Sequence, residues 1–293
     1  MESKFDIAFI GQYTQDTIVN KSGTRLVDGG AYYYGSSAAG RMGLKVAAVT
    51  RLAKKDFASF ASLEKLGVMV RAIPTAHSTC LKLEYPSDNP DDRILSVTTV
   101  AEPFVPNDVE GIHAGVWSVG ASIRGEVSLE VLKAIKATGA RLGLDAQGFV
   151  RVIRNGTLAY DKNWPDKAAV LGLADVFKAD VVEAEILTGY TDLKTAAREL
   201  LKLGNMELVL THGKGVIVWA EGAFHEAFFT PKTLVGRTGR GDTCLASYLA
   251  ARISMKPREA TRWAAALTSL KMEAVGPFSG TIADIENALA ERY

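Results

Sequence analysis

A chain of 293 residues, 47% apolar and 23% charged, can hold one large α/β domain or two small ones, each with a proper core. Its 34 basic and 33 acidic residues leave a formal charge of +1 with no run of Lys or Arg, which argues against a nucleic-acid footprint or a membrane-surface patch. The first apolar run, Phe5 to Ile10, is too short for a signal peptide or a membrane span, and two cysteines, Cys80 and Cys244, make neither a disulfide framework nor a metal-ligand spacing, so a cytoplasmic protein is expected.

In chain order, the run ending at Gly11 reads as a mostly buried strand, with Asp16 in the polar segment after it. Short exposed strands are expected over 17–27. Gly29-Gly30 then precedes 31–43, whose small residues suit a helix packed tightly on a sheet and stopped by Gly43. Its first turn carries Tyr32, Tyr33 and Tyr34, which suit plain packing or a ring-lined pocket equally. The pattern predicts strands at 45–50 and 67–73, a helix at 56–66, and alternating strands at 79–85 and 93–100 about a turn over 86–92. From His113 strands and helices alternate: strands at 113–119, 141–145, 174–179, 207–211, 215–220 and 224–229, helices at 128–138, 181–187 and 191–203. Helices return at 257–274 and 283–290. Such alternation implies a mainly parallel sheet with helices on both faces and ligands beyond the strands' C-terminal ends.

Gly239-Arg240-Gly241-Asp242 sits where a loop becomes a helix, because Cys244, Leu245, Tyr248 and Leu249 recur at the spacing of one buried helical face. A helix's first turn offers unpartnered amides and the positive end of its dipole, and glycine lets a phosphate approach closely. An aspartate there suits a second reactant, a hydroxyl that loses its proton as phosphate arrives. An N-cap is the plain structural alternative. Asp145 and Gln147, at a predicted strand end, are candidates for substrate hydroxyls and Arg151 for an anionic group, with an ordinary polar loop as the alternative. Asp180 suits a helix cap, with Glu183 one turn further in. Thr211-His212-Gly213-Lys214-Gly215 is a glycine-rich turn, either a hairpin or a nucleotide neighbour. Neither a Gly-x-x-x-x-Gly-Lys-Ser/Thr loop nor an early Gly-x-Gly-x-x-Gly occurs, so P-loop and dinucleotide readings lose their support.

The stretch from Gly236 to Asp242 resembles the second signature of the PfkB (ribokinase-like) carbohydrate kinases, Asp-Thr-x-Gly-Ala-Gly-Asp. Thr238, Gly239, Gly241 and Asp242 match it, while Gly236, Arg237 and Arg240 replace its Asp, Thr and Ala. Asp16, Gly29-Gly30, Asp145 with Gln147 and Arg151, and Glu183 follow in that family's order, with Tyr34 in place of its usual Asn. The resemblance implies a ribokinase-like α/β fold, one domain over 1–293, with a small β-sheet lid formed from about 12–28 and 77–101. It implies ATP-dependent transfer to a hydroxyl of a sugar, a sugar acid or a cyclitol such as myo-inositol. Asp242 would take the proton, beside Gly239, Arg240 and Gly241. Asp16, Gly29, Gly30, Tyr34, Asp145, Gln147 and Arg151 would face the substrate. Thr211, Gly213, Gly215, Thr238 and Glu183 would face the nucleotide, with Glu183 ordering the waters of Mg²⁺. Loss of the usual Asp at Gly236, where that family helps hold a monovalent cation, implies indifference to potassium. The expected partners are the small-molecule substrate and ATP, with a homodimer through the lid left open. A nucleoside kinase of the same fold and a non-catalytic sugar-binding or regulatory protein are the alternatives.

Overall fold

The computed structural model describes residues 4–21, 23–86 and 94–293. In chain order its strands are β1 (Phe5–Ile10), β2 (Thr14–Asn20), β3 (Gly23–Gly29), β4 (Val46–Ala53), β5 (Met69–Thr75), β6 (Thr79–Glu84), β7 (Ile94–Thr99), β8 (Ala114–Val119), β9 (Arg141–Asp145), β10 (Arg151–Arg154), β11 (Thr157–Tyr160), β12 (Val176–Asp180), β13 (Glu207–His212), β14 (Gly215–Ala220) and β15 (Ala223–Phe228). The helices are α1 (Ala31–Arg41), α2 (Ala61–Lys65), α3 (Leu129–Lys136), α4 (Gln147–Val150), α5 (Lys167–Leu171), α6 (Val181–Thr188), α7 (Leu193–Leu200), α8 (Arg240–Ala251), α9 (Pro257–Met272) and α10 (Ile282–Arg292).

Nine strands form one sheet in the order β15-β14-β13-β12-β9-β8-β1-β4-β5. Pairing is parallel from β13 to β5, and β14 and β15 close one edge as antiparallel hairpins. Successive strand side chains point to opposite faces, so β1 feeds two cores: Ala8 and Ile10 join one, Ile7 and Phe9 the other. Residues of α3, α5, α6 and α7 cover the first core, and those of α1, α2, α8, α9 and α10 the second. Small residues let α1 lie close, since a Cβ at Gly35 would meet the Phe9 ring at 2.5 Å. Ser128, Asp192 and Thr281 each accept the amide three residues on, starting α3, α7 and α10 at a gain of about 1 kcal/mol apiece.

A second, six-stranded sheet runs β10-β11-β7-β6-β2-β3. Only residues 11–13 separate its first strand from the end of β1, so it stands beyond the C-terminal edge of the large sheet. The expected strands at 17–27 are the β2–β3 hairpin. β10 and β11 are strands that the sequence reading lacks, and their Asn155-Gly156 turn, both residues at positive φ, is a two-residue hairpin signal. The helix expected at 56–66 is instead a 3₁₀ turn, Lys54–Phe60, followed by α2. Residues 87–93, which include most of the expected turn and the first residue of the strand predicted at 93–100, lie outside the described residues. No described helix is long and apolar enough to cross a membrane.

Candidate active site

Helix α8 starts at Arg240 with Gly239 as its N-cap, earlier than the apolar spacing from Cys244 indicates. Gly239 has φ +75°, and a Cβ there would meet the Tyr34 ring at 2.3 Å, so conformation and close approach both demand glycine. Asp242 is therefore a first-turn residue and not the cap, with its half-buried carboxylate on a cavity of about 740 Å³. Burial raises the Asp242 pKa, Lys178 and Arg151 pull it back, and Glu183 pushes it up again. A carboxylate so tuned remains a base but a stronger one than a solvated aspartate.

The cavity gathers residues from both sheets. Thr14 and Asp16 come from β2, Leu81 and Leu83 from β6, Ile94 and Leu95 from β7, and Thr157 to Tyr160 from β11. Facing them, at the C-terminal ends of the large sheet's strands, are Asp145 on β9, Lys178 and Asp180 on β12 and Thr211 on β13. Leu83 and Leu95 are cross-strand partners, and Leu81 shares the inner face of β6 with Leu83, so one wall is aliphatic. The opposite wall is charged: Arg151, Lys178, Arg237, Arg240, Asp145, Asp180 and Asp242 line it. The Arg240 guanidinium lies 5.8 Å from the Phe229 ring centroid.

Lys178 organises the charged wall. Its ammonium donates to Asp145 Oδ1 at 3.1 Å and to Glu183 Oε2 at 3.3 Å, and it would stand 3.1 Å from a Cβ on Gly241. Burial opposes the Lys178 charge, but Asp145 and Glu183 outweigh it and hold the pKa above the usual lysine range. The register that sets Lys178 beside Asp145 comes from the parallel β12–β9 pair. Glu183 belongs to the capping box that starts α6: it accepts the Asp180 amide at 2.8 Å while Asp180 Oδ1 accepts the Glu183 amide at 2.8 Å. Glu183 is fully buried, 3.9 Å from Arg151 Nη2, and burial raises its pKa to about 7.

Of the residues singled out from the sequence, Asp16, Gly30, Tyr34, Asp145, Gln147, Arg151, Thr211, Thr238, Gly239, Arg240, Gly241 and Asp242 line this one cavity. Gly29 lies behind it, where a Cβ would press on Thr14 Oγ1 at 2.7 Å and Asp16 Oδ2 at 3.4 Å. Glu183 sits behind Lys178, away from the lining. Gly213 and Gly215 belong to the β13–β14 hairpin and are not on the cavity. The Tyr34 hydroxyl is buried with no hydrogen-bond partner among the described residues. Sequence reasoning gives no role to Lys178, Arg237, Ser122 or the leucines. A lysine inside the apolar run Val176-Phe177-Lys178-Ala179 was the one readable signal.

Magnesium fits this wall only in a water-clad form. Among the described residues no group of three or more His, Cys, Asp or Glu could hold an ion, and Lys178 already occupies Asp145 and Glu183. Asp180 is the α6-capping carboxylate on the cavity.

The family model for pfkB family carbohydrate kinases matches residues 6–282. The chain belongs to this family. Two solved structures are similar to this kinase at 33% identity and TM-score 0.88. One is a pyrophosphate-dependent kinase in the ribokinase family complexed with a pyrophosphate analog and myo-inositol, matched over 96% of this chain and 99% of that one. The other concerns a pyrophosphate-dependent myo-inositol-1 kinase converted into a myo-inositol-3 kinase by two substitutions that introduce leucine, matched over 98% and 99%. A cytidine kinase from Thermococcus kodakarensis is 28% identical over 267 residues, 87% of this kinase and 91% of the relative.

Proposed function

We propose that this kinase moves a phosphoryl group from a phosphoanhydride donor to one hydroxyl of a cyclitol, with myo-inositol the first candidate. One observation carries the reading: Asp242 and the first turn of α8 share a cavity with Asp16 of the second sheet. In the step, an acceptor oxygen bonds to the donor's terminal phosphorus as the bond from that phosphorus to its bridging oxygen breaks. The acceptor's proton passes to Asp242, and the electron pair leaves with the shortened donor. Asp242 is far less basic than an alkoxide, so the proton moves late.

The amides of Gly239 to Asp242, with Arg240 and Lys178, meet the charge on the transferring group. Asp16, the Gly30 amide and the Tyr34 hydroxyl hold acceptor hydroxyls, assisted by Ser122, Asp145 and Gln147. Leu81, Leu83 and Leu95 cover the ring's C–H face and act as a lid. Magnesium, when bound, would neutralise charge on the donor phosphates, and Asp180 would hold it through water.

For the donor, ATP is what the family implies and pyrophosphate is the reading we favour. Four cationic side chains, Arg151, Lys178, Arg237 and Arg240, line one cavity and suit a small, densely charged anion. The two neighbours at 33% identity support the same choice. Cytidine is the second acceptor reading, favoured by the rings of Tyr85 and Tyr160 on the wall.

The test crosses two donors, pyrophosphate and ATP, with myo-inositol, ribose, a sugar acid and cytidine in the presence of Mg²⁺, and weighs the products by mass. The fastest pair is expected to be pyrophosphate with myo-inositol. Fastest transfer to cytidine would replace the acceptor, and no transfer from either donor to any acceptor would end the reading.

A further inference from the structure

Lys271 occupies a core position in the last turn of α9 and is 1% exposed. A buried ammonium is costly unless its charge is met. Lys271 meets it with backbone oxygen and a ring: Nζ donates to the carbonyl of Gly236 at 3.0 Å and to that of Thr238, and it lies 5.3 Å from the Tyr34 ring centroid. Converging carbonyls and an aromatic face are also the chemistry that strips and holds a free monovalent cation.

The oxygens it holds belong to the loop that delivers Gly239 and the first turn of α8. Outside that contact the loop is pinned to the end of α9, where the Val235 and Gly236 amides donate to the Met272 carbonyl at 2.9 and 3.0 Å. A Cβ at Gly236 would meet the Ala274 carbonyl at 2.2 Å, so an acidic side chain has no room in this arrangement. Tyr34 is shared between the two halves, its ring under Gly239 and beside the Lys271 ammonium. Burial lowers the Lys271 pKa to about 8 against the upward pull of Asp242, so the ammonium predominates at neutral pH.

We propose that Lys271 is a tethered monovalent cation, a positioning residue whose ammonium holds the Gly236 and Thr238 carbonyls and thereby aims the α8 amides without free potassium or ammonium. The loop's job rests on the kinase reading above, but the occupancy of the carbonyl site by an ammonium does not. Deleting the amine while keeping the stem therefore leaves a vacancy of the right charge and polarity for a small cation.

The experiment compares wild type with Lys271→Met in choline buffer, adding potassium, ammonium or methylammonium at constant ionic strength. Two readouts are followed, melting temperature without substrate and turnover with donor and acceptor. Wild-type turnover should change by less than about twofold, and its melting temperature should not respond selectively to any of the three cations. Lys271→Met should lose roughly 10²-fold in kcat with a smaller change in KM, and one of the small cations should return about tenfold. The same cation should raise the melting temperature of the variant alone. Cation-independent behaviour of a folded Lys271→Met, in turnover and in melting, would overturn the proposal. So would strong activation of wild type by potassium, which decides the matter even if the variant does not accumulate. Because melting needs no turnover, a failure of the kinase reading would leave the cation-selective shift in place.

Discussion

The two walls of the cavity are built by opposite means. The charged wall around α8 is set by close approach: Gly239 against Tyr34, Gly241 against Lys178, and Lys178 clamped between Asp145 and Glu183. Each of its groups depends on an element distant in sequence, and little can change without leaving a buried charge unmet. The aliphatic wall follows from strand alternation alone, with Leu81, Leu83 and Leu95 on the face of the sheet opposite Lys82, Glu84 and Ser96. Under the proposed function the electrostatic wall would supply turnover and the aliphatic wall acceptor fit.

Asp242→Asn should separate the walls most sharply, with turnover falling roughly 10²–10⁴-fold in a protein that melts like wild type. Lys178→Met comes next. It leaves Asp145 and Glu183 buried together without their shared cation, and should cost about 3–5 kcal/mol in denaturant unfolding as well as most of the activity. An unchanged unfolding midpoint would mean that Lys178 does not hold that wall together. On the other side, Leu83→Asn should raise the acceptor KM about tenfold while kcat stays within about twofold, and should reorder the preference among acceptors. If kcat fell as far as KM rose, the division between the walls would fail.

The smallest expected effect lies behind the cavity. Glu126 is buried, and its carboxylate accepts the amide of Ser122, which lines the cavity. Burial raises its pKa from 4.5 to about 8, against the pull of the Ser122 and Ile123 amides. Between those values the folded protein keeps a proton that the unfolded chain has released. Its contribution is therefore full below about 4.5 and is lost as pH rises through about 8. Glu126→Gln should flatten that part of the stability profile, read by thermal melting across the window, with little change in turnover. A slope identical to wild type would assign the dependence to other groups.

What was legible in the sequence was whatever repeats locally. Strand and helix alternation gave the large sheet, because a 2-residue or 3.6-residue period reflects burial directly. The loop-to-helix motif gave Gly239 to Asp242, because helix starts use short-range chemistry. The β10–β11 hairpin carried a readable Asn155-Gly156 turn, but its four-residue strands are too short to show a period. Lys178 and Lys271 each stand out as a lone lysine in an apolar pattern, but what each one holds was not legible. Their partners follow from the β12–β9 register and from the packing of the 235–238 loop on α9, which no window of sequence contains. The same holds for Glu183, whose place in the capping box could be read while its burial behind Lys178 could not.

Under the proposed function the Asp242 carboxylate takes a proton and does not hold the acceptor. Calorimetric titration of Asp242→Asn with the acceptor that wild type turns over tests it most directly. Affinity within about threefold of wild type, alongside the lost turnover, is the predicted result. Affinity that falls in step with turnover, or turnover that survives the substitution, would contradict it.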